Sequence, residues 1–362
     1  MSETQHDVVV VGGRIAGALT AAFCAARGMT VLVLEARERL GDTPSTHFFR
    51  GEGLVRALGC VGILADVLAS GAPPLRRELF YLGGSARFAV NPPQEPGDLG
   101  HSLSVRRETL DEMLAAHVAQ LPGVEYRAAA RVTELLEDDG RVVGVRTSHG
   151  SAHHASLTVG ADGSRSVIAG WADAQDRERH PGARAIYYRY VSGWQSADAN
   201  PVDAAEFSLL DNEMAYVFPS DGHATCVALS VSLDTYLSAR HDAAGTYEER
   251  LRAHAGLWPR YRDAQQLGRL HASPPEDSVV REPAGPGWAL VGDAATHQDP
   301  WSGLGMDTAA RHAEALADAL ATASDTSTDE WIKTYANAYD QATLNRFRMT
   351  TDAAPDLRVL VE

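Results

Sequence analysis

The stretch that decides the fold is His6–Gly17, which reads HDVVVVGGRIAG. Its four consecutive valines predict a buried β-strand, because β-branched side chains are stiff and pack well on a pleated sheet. A glycine turn follows, and the alanine-rich, proline-free run at 18–26 predicts a helix that ends at Gly28. Residues 30–34 (TVLVL) predict a second buried strand, which ends at Glu35. Strand, glycine turn, helix, strand and acid in this order are the βαβ unit that binds dinucleotides.

Each part of this unit has a physical task. The glycine turn lets the backbone approach a pyrophosphate, and the first helix directs its N–H groups and positive dipole end toward it. Glu35 is placed to accept hydrogen bonds from ribose hydroxyls. Arg14 stands where the Gly-x-Gly-x-x-Gly pattern has its middle glycine. We interpret Gly13 as slack in the turn and Arg14 as a phosphate partner, since guanidinium pairs well with phosphate oxygens. The alternative is a glycine turn in a plain α/β sheet.

Composition limits the class of protein. The chain has 362 residues, which is enough for two domains or for one domain with an insertion. Its net charge of −16 opposes binding to nucleic acid or to anionic membranes, so we expect neither partner. Cys24, Cys60 and Cys226 are too widely spaced to predict a disulfide framework or a metal site. We therefore expect a cytoplasmic protein without a bound metal. The oligomeric state is left open.

The remaining chain divides by its patterns. Short strands with turn signals at 124–159 predict a small antiparallel meander of four strands. A hairpin within 77–90 and the strands at 184–233 predict a mostly antiparallel sheet, separate from the βαβ half.

Two later stretches repeat the pattern of a strand that ends in glycine and aspartate. Residues 160–163 (GADG) follow one short strand, and Gly292 and Asp293 follow the apolar run at 288–291. An alanine-rich helix is predicted near 307–323, and its N-terminus would stabilise negative charge beside it.

These three motifs, in this order, closely resemble the class A flavin monooxygenases. These are the para-hydroxybenzoate hydroxylase-like flavoproteins, here in a Gly-x-Arg-x-Ala-Gly variant, and the resemblance covers nearly the whole chain. It implies bound FAD, with NAD(P)H as a transient reductant. It also implies an α/β fold in which a Rossmann-like FAD-binding domain, with a parallel sheet and a β-meander, carries an inserted, mostly antiparallel substrate domain and C-terminal helices. The predicted divisions are 1–75, 100–175 and 276–325 for the FAD-binding domain, 76–99 and 176–275 for the substrate domain, and 326–362 for the C-terminal helical segment.

The resemblance, together with the polar loop at 41–49 that leaves the carboxyl end of the second strand, predicts a set of cofactor-binding residues. These are Gly12, Gly13, Arg14, Ala16, Gly17, Glu35, Ala36, Arg37, Thr46, Arg107, Asp162, Gly292, Asp293, Pro300, Gly303, Leu304, Gly305 and Met306. By the family pattern, Glu35 binds the adenosine ribose, Arg107 lies near the ribityl chain, and Asp162 serves both FAD and NAD(P)H. Asp293 faces the ribityl hydroxyls, and residues 300–306 line the isoalloxazine ring. Many family members have glutamine in place of Leu304. The chain has no Trp-x-Trp-x-Ile-Pro stretch, which weighs against a flavin halogenase.

The leading hypothesis is an FAD-dependent monooxygenase. It would use NAD(P)H and O2 to hydroxylate or epoxidise an aromatic or polyketide-like small molecule through a C4a-hydroperoxyflavin. His47 and His297 are candidate acid–base or substrate-contacting residues, because histidine titrates near neutrality; the alternative is that each is structural. Two other functions stay open, namely a flavin-dependent reductase of prenyl-type double bonds and a non-redox FAD protein that binds or folds a ligand.

Overall fold

The computed structural model of the chain describes residues 6–45, 47–50, 53–83, 86–90, 99–197, 202–239, 241–323 and 329–360. The strands are β1 His6–Val11, β2 Val31–Leu34, β3 Phe48–Phe49, β4 Arg77–Leu82, β5 Ala86–Val90, β6 Leu103–Ser104, β7 Val124–Arg127, β8 Val132–Asp138, β9 Arg141–Thr147, β10 Ala152–Gly160, β11 Asp176–His180, β12 Arg184–Ser192, β13 Ala204–Leu210, β14 Glu213–Pro219, β15 Thr225–Ser232, β16 Gln265–Ser273, β17 Ser278–Arg281, β18 Ala284–Gly285, β19 Trp288–Leu290 and β20 Thr296–His297. The α-helices are α1 Ile15–Ala26, α2 Leu54–Cys60, α3 Leu64–Leu68, α4 Arg107–Val118, α5 Val167–Trp171, α6 Leu233–Ser238, α7 Ala243–Ala253, α8 Trp258–Asp263, α9 Gly305–Thr322 and α10 Glu330–Ala353. Short 3₁₀ helices cover Gly292–Ala294, Pro300–Ser302 and Leu357–Leu360.

The first sheet is built on the valine run. Its strand order is β18-β19-β10-β1-β2-β7, and β19, β10, β1, β2 and β7 run parallel. Strands β8 and β9 extend from β10 as an antiparallel meander. The predicted α/β fold, with its parallel sheet and meander, is confirmed. Because β1, β2, β10 and β19 are parallel, the residues that follow them meet at one edge of the sheet.

The predicted meander is wrong in one strand. Strand β7 was expected to begin it, but it pairs in parallel with β2, with Val31 opposite Val124. It follows helix α4, and a helical crossover returns the chain parallel to its starting strand. The meander therefore begins at β8.

The second sheet has the order β16-β12-β15-β14-β13-β4-β5. Its pairs are antiparallel except β13 with β4. One face packs under α7 and α8, where Tyr247 and Tyr261 are buried. The opposite face is aromatic and packs against Phe48 and Trp301. A mostly antiparallel sheet separate from the βαβ half is confirmed, while the exact domain limits stay a prediction.

The C-terminal helix is part of the core. The polar residues that lead into the sequence at 329–347 predict a final helix that packs on the outside of the protein, and this prediction is wrong. Helix α10 buries Trp331, Tyr335, Tyr339 and Phe347 in the same cluster as the parallel sheet. Its apolar and aromatic residues cover helix α9 and the end of the sheet. Residues 330–353 thus complete the core around the parallel sheet.

Candidate functional site

A cavity of about 600 Å3 lies where the parallel strands end. Its size is that of a site for a small molecule or cofactor. The segments that follow β1, β2, β10 and β19 all contribute to its wall. The wall brings together these residues predicted from the sequence: Gly12, Arg14, Ala16, Glu35, Ala36, Arg37, Arg107, Asp162, Asp293, His297, Pro300, Gly303, Gly305 and Met306.

Other predicted residues lie behind the wall. A Cβ at Gly17 would overlap the carbonyl oxygen of Gly12, so this glycine allows α1 to pack closely on β1. A Cβ at Gly13 would overlap the phenol of Tyr126, and the interpretation of Gly13 as slack is therefore wrong. A Cβ at Gly292 would come within 2.7 Å of the Ala16 Cβ. Gly292 is thus a close-packing position too.

Two predicted cofactor-binding residues remain. Leu304 precedes α9 as its N-cap residue and does not line the cavity. Thr46 lies outside the described residues. Its assignment to the cofactor stays a prediction.

The turn after β1 requires glycine. Gly12 has a φ of +107°, which side chains rarely adopt, and a Cβ there would overlap the carbonyl of Ala161. The first turn is therefore bare backbone facing the cavity. This is the feature that lets a phosphate approach the main chain.

Two helix N-termini face the same cavity. Helix α1 begins after Arg14 and helix α9 after Leu304, and neither cap residue supplies a side-chain cap. Ile15 and Ala16 of α1, and residues 305–306 of α9, line the wall. The unsatisfied N–H groups and positive dipole ends favour an anion or a developing negative charge in the cavity.

Glu35 closes the turn with its carboxylate. Oε2 accepts the N–H of Gly13 at 2.8 Å and Oε1 accepts the N–H of Arg37 at 2.9 Å. The residue is only 7 % exposed. Each carboxylate oxygen can accept a second hydrogen bond, so these contacts leave capacity for a ribose hydroxyl.

Arg14 is held by protein groups. It donates to the Asp111 carboxylate and the Leu40 carbonyl, and to the Gly41 carbonyl at 3.2 Å. Arg107 donates to the same carboxylate at 3.1 and 3.2 Å, and Asp111 is fully buried. The side chain of Arg14 reaches the cavity wall, and its terminal nitrogens donate to Asp111 and to the loop at 40–41. Its assignment as a phosphate partner stays a prediction.

Asp111 was missed from the sequence. Its spacing to Arg107 is one helical turn, which is a visible signal for an ion pair on α4. Its pairing with Arg14 joins residues 97 positions apart and has no local signal.

Asp162 caps a short helix beside the cavity. Its carboxylate accepts the hydroxyl of Ser166 at 2.6 Å and the N–H of Val167 at 2.7 Å. Burial raises the pKa of Asp162 above its ordinary value despite these hydrogen bonds. The carboxylate therefore fixes the turn that forms the wall.

His297 stands between two carboxylates. Its Nδ1 is 3.4 Å from Oδ2 of Asp293, and its Nε2 is 3.7 Å from Oε2 of Glu276. Burial disfavours the imidazolium, but Asp293 and Glu276 outweigh it and raise the pKa of His297. Burial also opposes ionisation of Asp293, and His297 holds the pKa of that carboxyl below its ordinary value. The ionised form of Asp293, which accepts hydrogen bonds, is thus favoured. Glu276 also lines the cavity wall, and the sequence analysis did not predict it.

His47 lies behind the cavity wall. It is fully buried, with a φ of +64°, while the preceding residues 43–45 line the cavity. Its Nε2 is 2.7 Å from the hydroxyl of Tyr190. Asp42 accepts the hydroxyls of Tyr188 at 2.9 Å and of Tyr190 at 3.3 Å. Burial would raise the pKa of Asp42, but His47 and Tyr188 hold it down at about 2.

Within the described residues, no group of three or more histidine, cysteine, aspartate and glutamate side chains is arranged to hold a metal ion. The described helices include none whose length and apolar content would let it cross a membrane.

Residues 5–344 match the family defined as the FAD binding domain. The chain belongs to this family. The match spans nearly all of the chain, so the resemblance to class A flavoproteins is confirmed and the protein is an FAD-dependent oxidoreductase by family.

Known relatives of this FAD-binding protein differ from one another in the reaction that their names state. The digeranylgeranylglycerophospholipid reductase of Methanosarcina mazei is 25 % identical over 83 % of this chain and 72 % of its own. The kynurenine 3-monooxygenase of Salinispora tropica is 28 % identical over 91 % of this chain and 75 % of its own. The solved flavin-dependent brominase Bmp2 superposes with a TM-score of 0.79 at 20 % identity, over 94 % of this chain and 84 % of its own, which supports the fold alone.

Proposed function

We propose that the chain is an FAD-dependent monooxygenase that uses NAD(P)H and O2 to hydroxylate or epoxidise an aromatic or polyketide-like small molecule. The observation that carries this proposal is the aromatic face of the second sheet, which forms one buried cluster with Ile186, a residue of the cavity wall. The face includes Phe207, Tyr216 and Phe218, and Phe48 and Trp301 pack against it. Flat rings pack on such a face with a geometric preference that an aliphatic chain lacks.

The cavity fits FAD. Its bare glycine turn, the two uncapped helix N-termini and the Glu35 carboxylate match a pyrophosphate, a developing flavin anion and a ribose. In this proposal Glu35 binds the adenosine ribose, Asp293 the ribityl hydroxyls, and residues 300–306 lie along the ring. Bound FAD would supply the electron transfer from NAD(P)H and the activation of dioxygen.

The Asp42 cluster beside the cavity can hold a proton at a defined atom. Asp42 is ionised and can only accept, so Tyr188 and Tyr190 both donate to it. The oxygen of Tyr190 then accepts from His47, which places the imidazole proton on Nε2. In our proposal this chain orients a hydroxyl or amino substituent of the substrate and moves its proton.

The contacts of His297 give it a different part. Because it lies between Asp293 and Glu276, it favours the ionised form of the Asp293 carboxylate. We propose that His297 acts on the cofactor side of the cavity and His47 on the substrate side.

A second candidate is a flavin-dependent reductase of prenyl-type double bonds. The relative from Methanosarcina mazei favours it, because that reductase matches most of this chain. The aromatic face, with the hydroxyl groups of Tyr188 and Tyr190 beside it, favours a substrate with a ring and a polar substituent over a long aliphatic chain.

The test is a matched assay with and without oxygen. The purified, FAD-loaded protein is mixed with NADH or NADPH and either phenols and polycyclic aromatics or a geranylgeranyl lipid. The proposal predicts that an aromatic compound stimulates both NAD(P)H oxidation and oxygen uptake. Reduction of the lipid under nitrogen, with no aromatic stimulation in air, would support the reductase instead.

A further inference from the structure

Helix α10 carries three buried polar side chains at four-residue spacing. Tyr335, Tyr339 and Thr343 are each at most 1 % exposed. This spacing places them on one face of the helix, one turn apart. A buried polar group destabilises the fold unless it has a hydrogen-bond partner. The partners of these three side chains therefore show what the face is for.

The two tyrosines bind backbone carbonyls on either side of the Gly-Asp motif. Tyr335 donates its hydroxyl to the carbonyl of Leu290 at 2.6 Å. The hydroxyl of Tyr339 donates to the carbonyl of Ala295 at 3.1 Å and also contacts the hydroxyl of Thr296. The segment 290–296 is thus held at both ends.

Thr343 acts on the middle of the segment through a histidine. Its Oγ1 is 2.8 Å from Nε2 of His312, whose Nδ1 accepts the N–H of Gly292 at 3.2 Å. Since Nδ1 accepts, Nε2 carries the proton and donates to Thr343. Burial lowers the pKa of His312 to about 3, so this tautomer is kept at neutral pH. The His312 ring also lies 4.6 Å from the ring of Tyr339.

The segment 290–296 contains Asp293. Its middle is a single 3₁₀ turn, Gly292–Ala294, and Gly292 has a φ of +59°. On its other side, Ala16 of α1 packs against Gly292. A turn this short has few hydrogen bonds of its own, so its contacts with α1, His312 and α10 fix where the Asp293 carboxylate enters the cavity.

We propose that Tyr335, Tyr339 and Thr343 position Asp293 for FAD, so that docking of α10 and binding of FAD are thermodynamically coupled. The three side chains lie behind the cavity wall and are positioning residues. Coupling is reciprocal: loss of the α10 contacts weakens FAD binding, and FAD binding protects α10 from opening. The proposal holds whether the bound flavin serves a monooxygenase or a reductase.

The first experiment compares matched substitutions. Tyr335→Phe removes a hydrogen bond to the carbonyl of Leu290, and Thr343→Val removes the acceptor of His312, whose other ring nitrogen holds the N–H of Gly292. Tyr247→Phe is the tyrosine control, because its buried hydroxyl donates to Val227 in the second sheet at 3.0 Å. Thr351→Val is the threonine control, because its hydroxyl donates within α10, to Phe347 at 2.9 Å and to residue 348 at 3.2 Å.

FAD affinity of the apoprotein is measured by fluorescence titration, well below the unfolding temperature of each variant. We expect Tyr335→Phe and Thr343→Val to weaken binding about five- to tenfold each, because a hydrogen bond that fixes the turn is lost. We expect both controls to stay within about twofold, even where their unfolding temperature falls. If the unfolding temperature falls for all four variants while FAD affinity is unchanged, Tyr335 and Thr343 only stabilise the packing of α10, and the proposal is overturned.

The second experiment uses the unaltered protein. Hydrogen exchange of residues 335–343 is compared without and with saturating FAD, with α7 as the reference helix. The proposal predicts a larger gain of protection in 335–343 than in α7. Equal gains in both helices, or no gain in 335–343, would overturn the coupling even if a substituted protein failed to fold.

Discussion

Glu35 offers the sharpest perturbation of the cofactor site, because one carboxylate serves both the turn and the cavity. In Glu35→Ala the N–H groups of Gly13 and Arg37 lose their acceptors at 2.8 and 2.9 Å. Hydrogen bonds to charged groups contribute about 1.5–3 kcal/mol each, and water can replace part of the loss at Arg37. We expect the apoprotein to lose about 2–4 kcal/mol of unfolding free energy.

The effect on FAD should be separate. If the same carboxylate accepts a ribose hydroxyl, its loss removes one further charge-assisted hydrogen bond, or about 10- to 100-fold in affinity. Glu35→Gln keeps one acceptor but turns an amide N–H toward one backbone N–H, so both its stability and its affinity should be intermediate.

The assay is FAD titration of each apoprotein by fluorescence quenching, beside urea unfolding without FAD. Glu206→Gln is the matched control, because Glu206 is a 3 % exposed carboxylate in the second sheet, paired with both terminal nitrogens of Arg260 at 2.6 and 2.7 Å. It should lose stability with FAD affinity unchanged. If Glu35→Ala binds FAD as tightly as Glu206→Gln, the ribose assignment is refuted.

Three further substitutions test other parts of the site. Gly12→Ala should lose more than 2 kcal/mol of stability and its FAD binding, whereas Gly28→Ala, also at positive φ but in open space, should lose about 1 kcal/mol or less in urea unfolding. Arg14→Ala should weaken FAD binding and destabilise the protein by about 2–3 kcal/mol, since buried Asp111 loses one of its two arginine partners and keeps Arg107. Arg14→Lys should restore part of the affinity and part of the stability. If Arg14→Ala equals the parent in FAD titration and in urea unfolding, Arg14 does not belong to the site. Burial raises the pKa of Asp299 from 3.8 to about 6, so the folded state binds this proton more tightly and stability falls as the pH rises through that window. Asp299→Asn should therefore gain up to about 3 kcal/mol over the parent at pH 7 and almost nothing at pH 4, and equal gains at both pH values would argue against this cause.

Local sequence signals predicted the cofactor half of the fold well. The valines of β1, the bare turn at Gly12 and the acid at Glu35 lie within one βαβ unit, where backbone pairing and burial follow from adjacent residues.

The parts that sequence reasoning missed depend on contacts between distant residues. No local sequence pattern connects Arg14 to Asp111, and no residue near His47 in the sequence predicts its hydrogen bond with Tyr190. Strand β7 pairs in parallel with β2 at the edge of the sheet, and the residues of β7 themselves do not indicate that partner. Such pairings are set by packing of whole elements, and they decide which polar groups are already satisfied.

The polar face of α10 is an intermediate case. The spacing of Tyr335, Tyr339 and Thr343 is visible in the sequence, but their partners at 290–296 are set by how α10 docks. A period can indicate that a face is buried without showing what it binds.

The most direct test of the central proposal is the fate of dioxygen. The FAD-loaded protein is turned over with NAD(P)H under 18O2 in the presence of the aromatic compound that best stimulates oxygen uptake, and the product is analysed by mass spectrometry. A monooxygenase incorporates one 18O atom per product molecule and none from H2 18O. A product that gains two hydrogens and no 18O, formed equally well under nitrogen, would contradict the proposal.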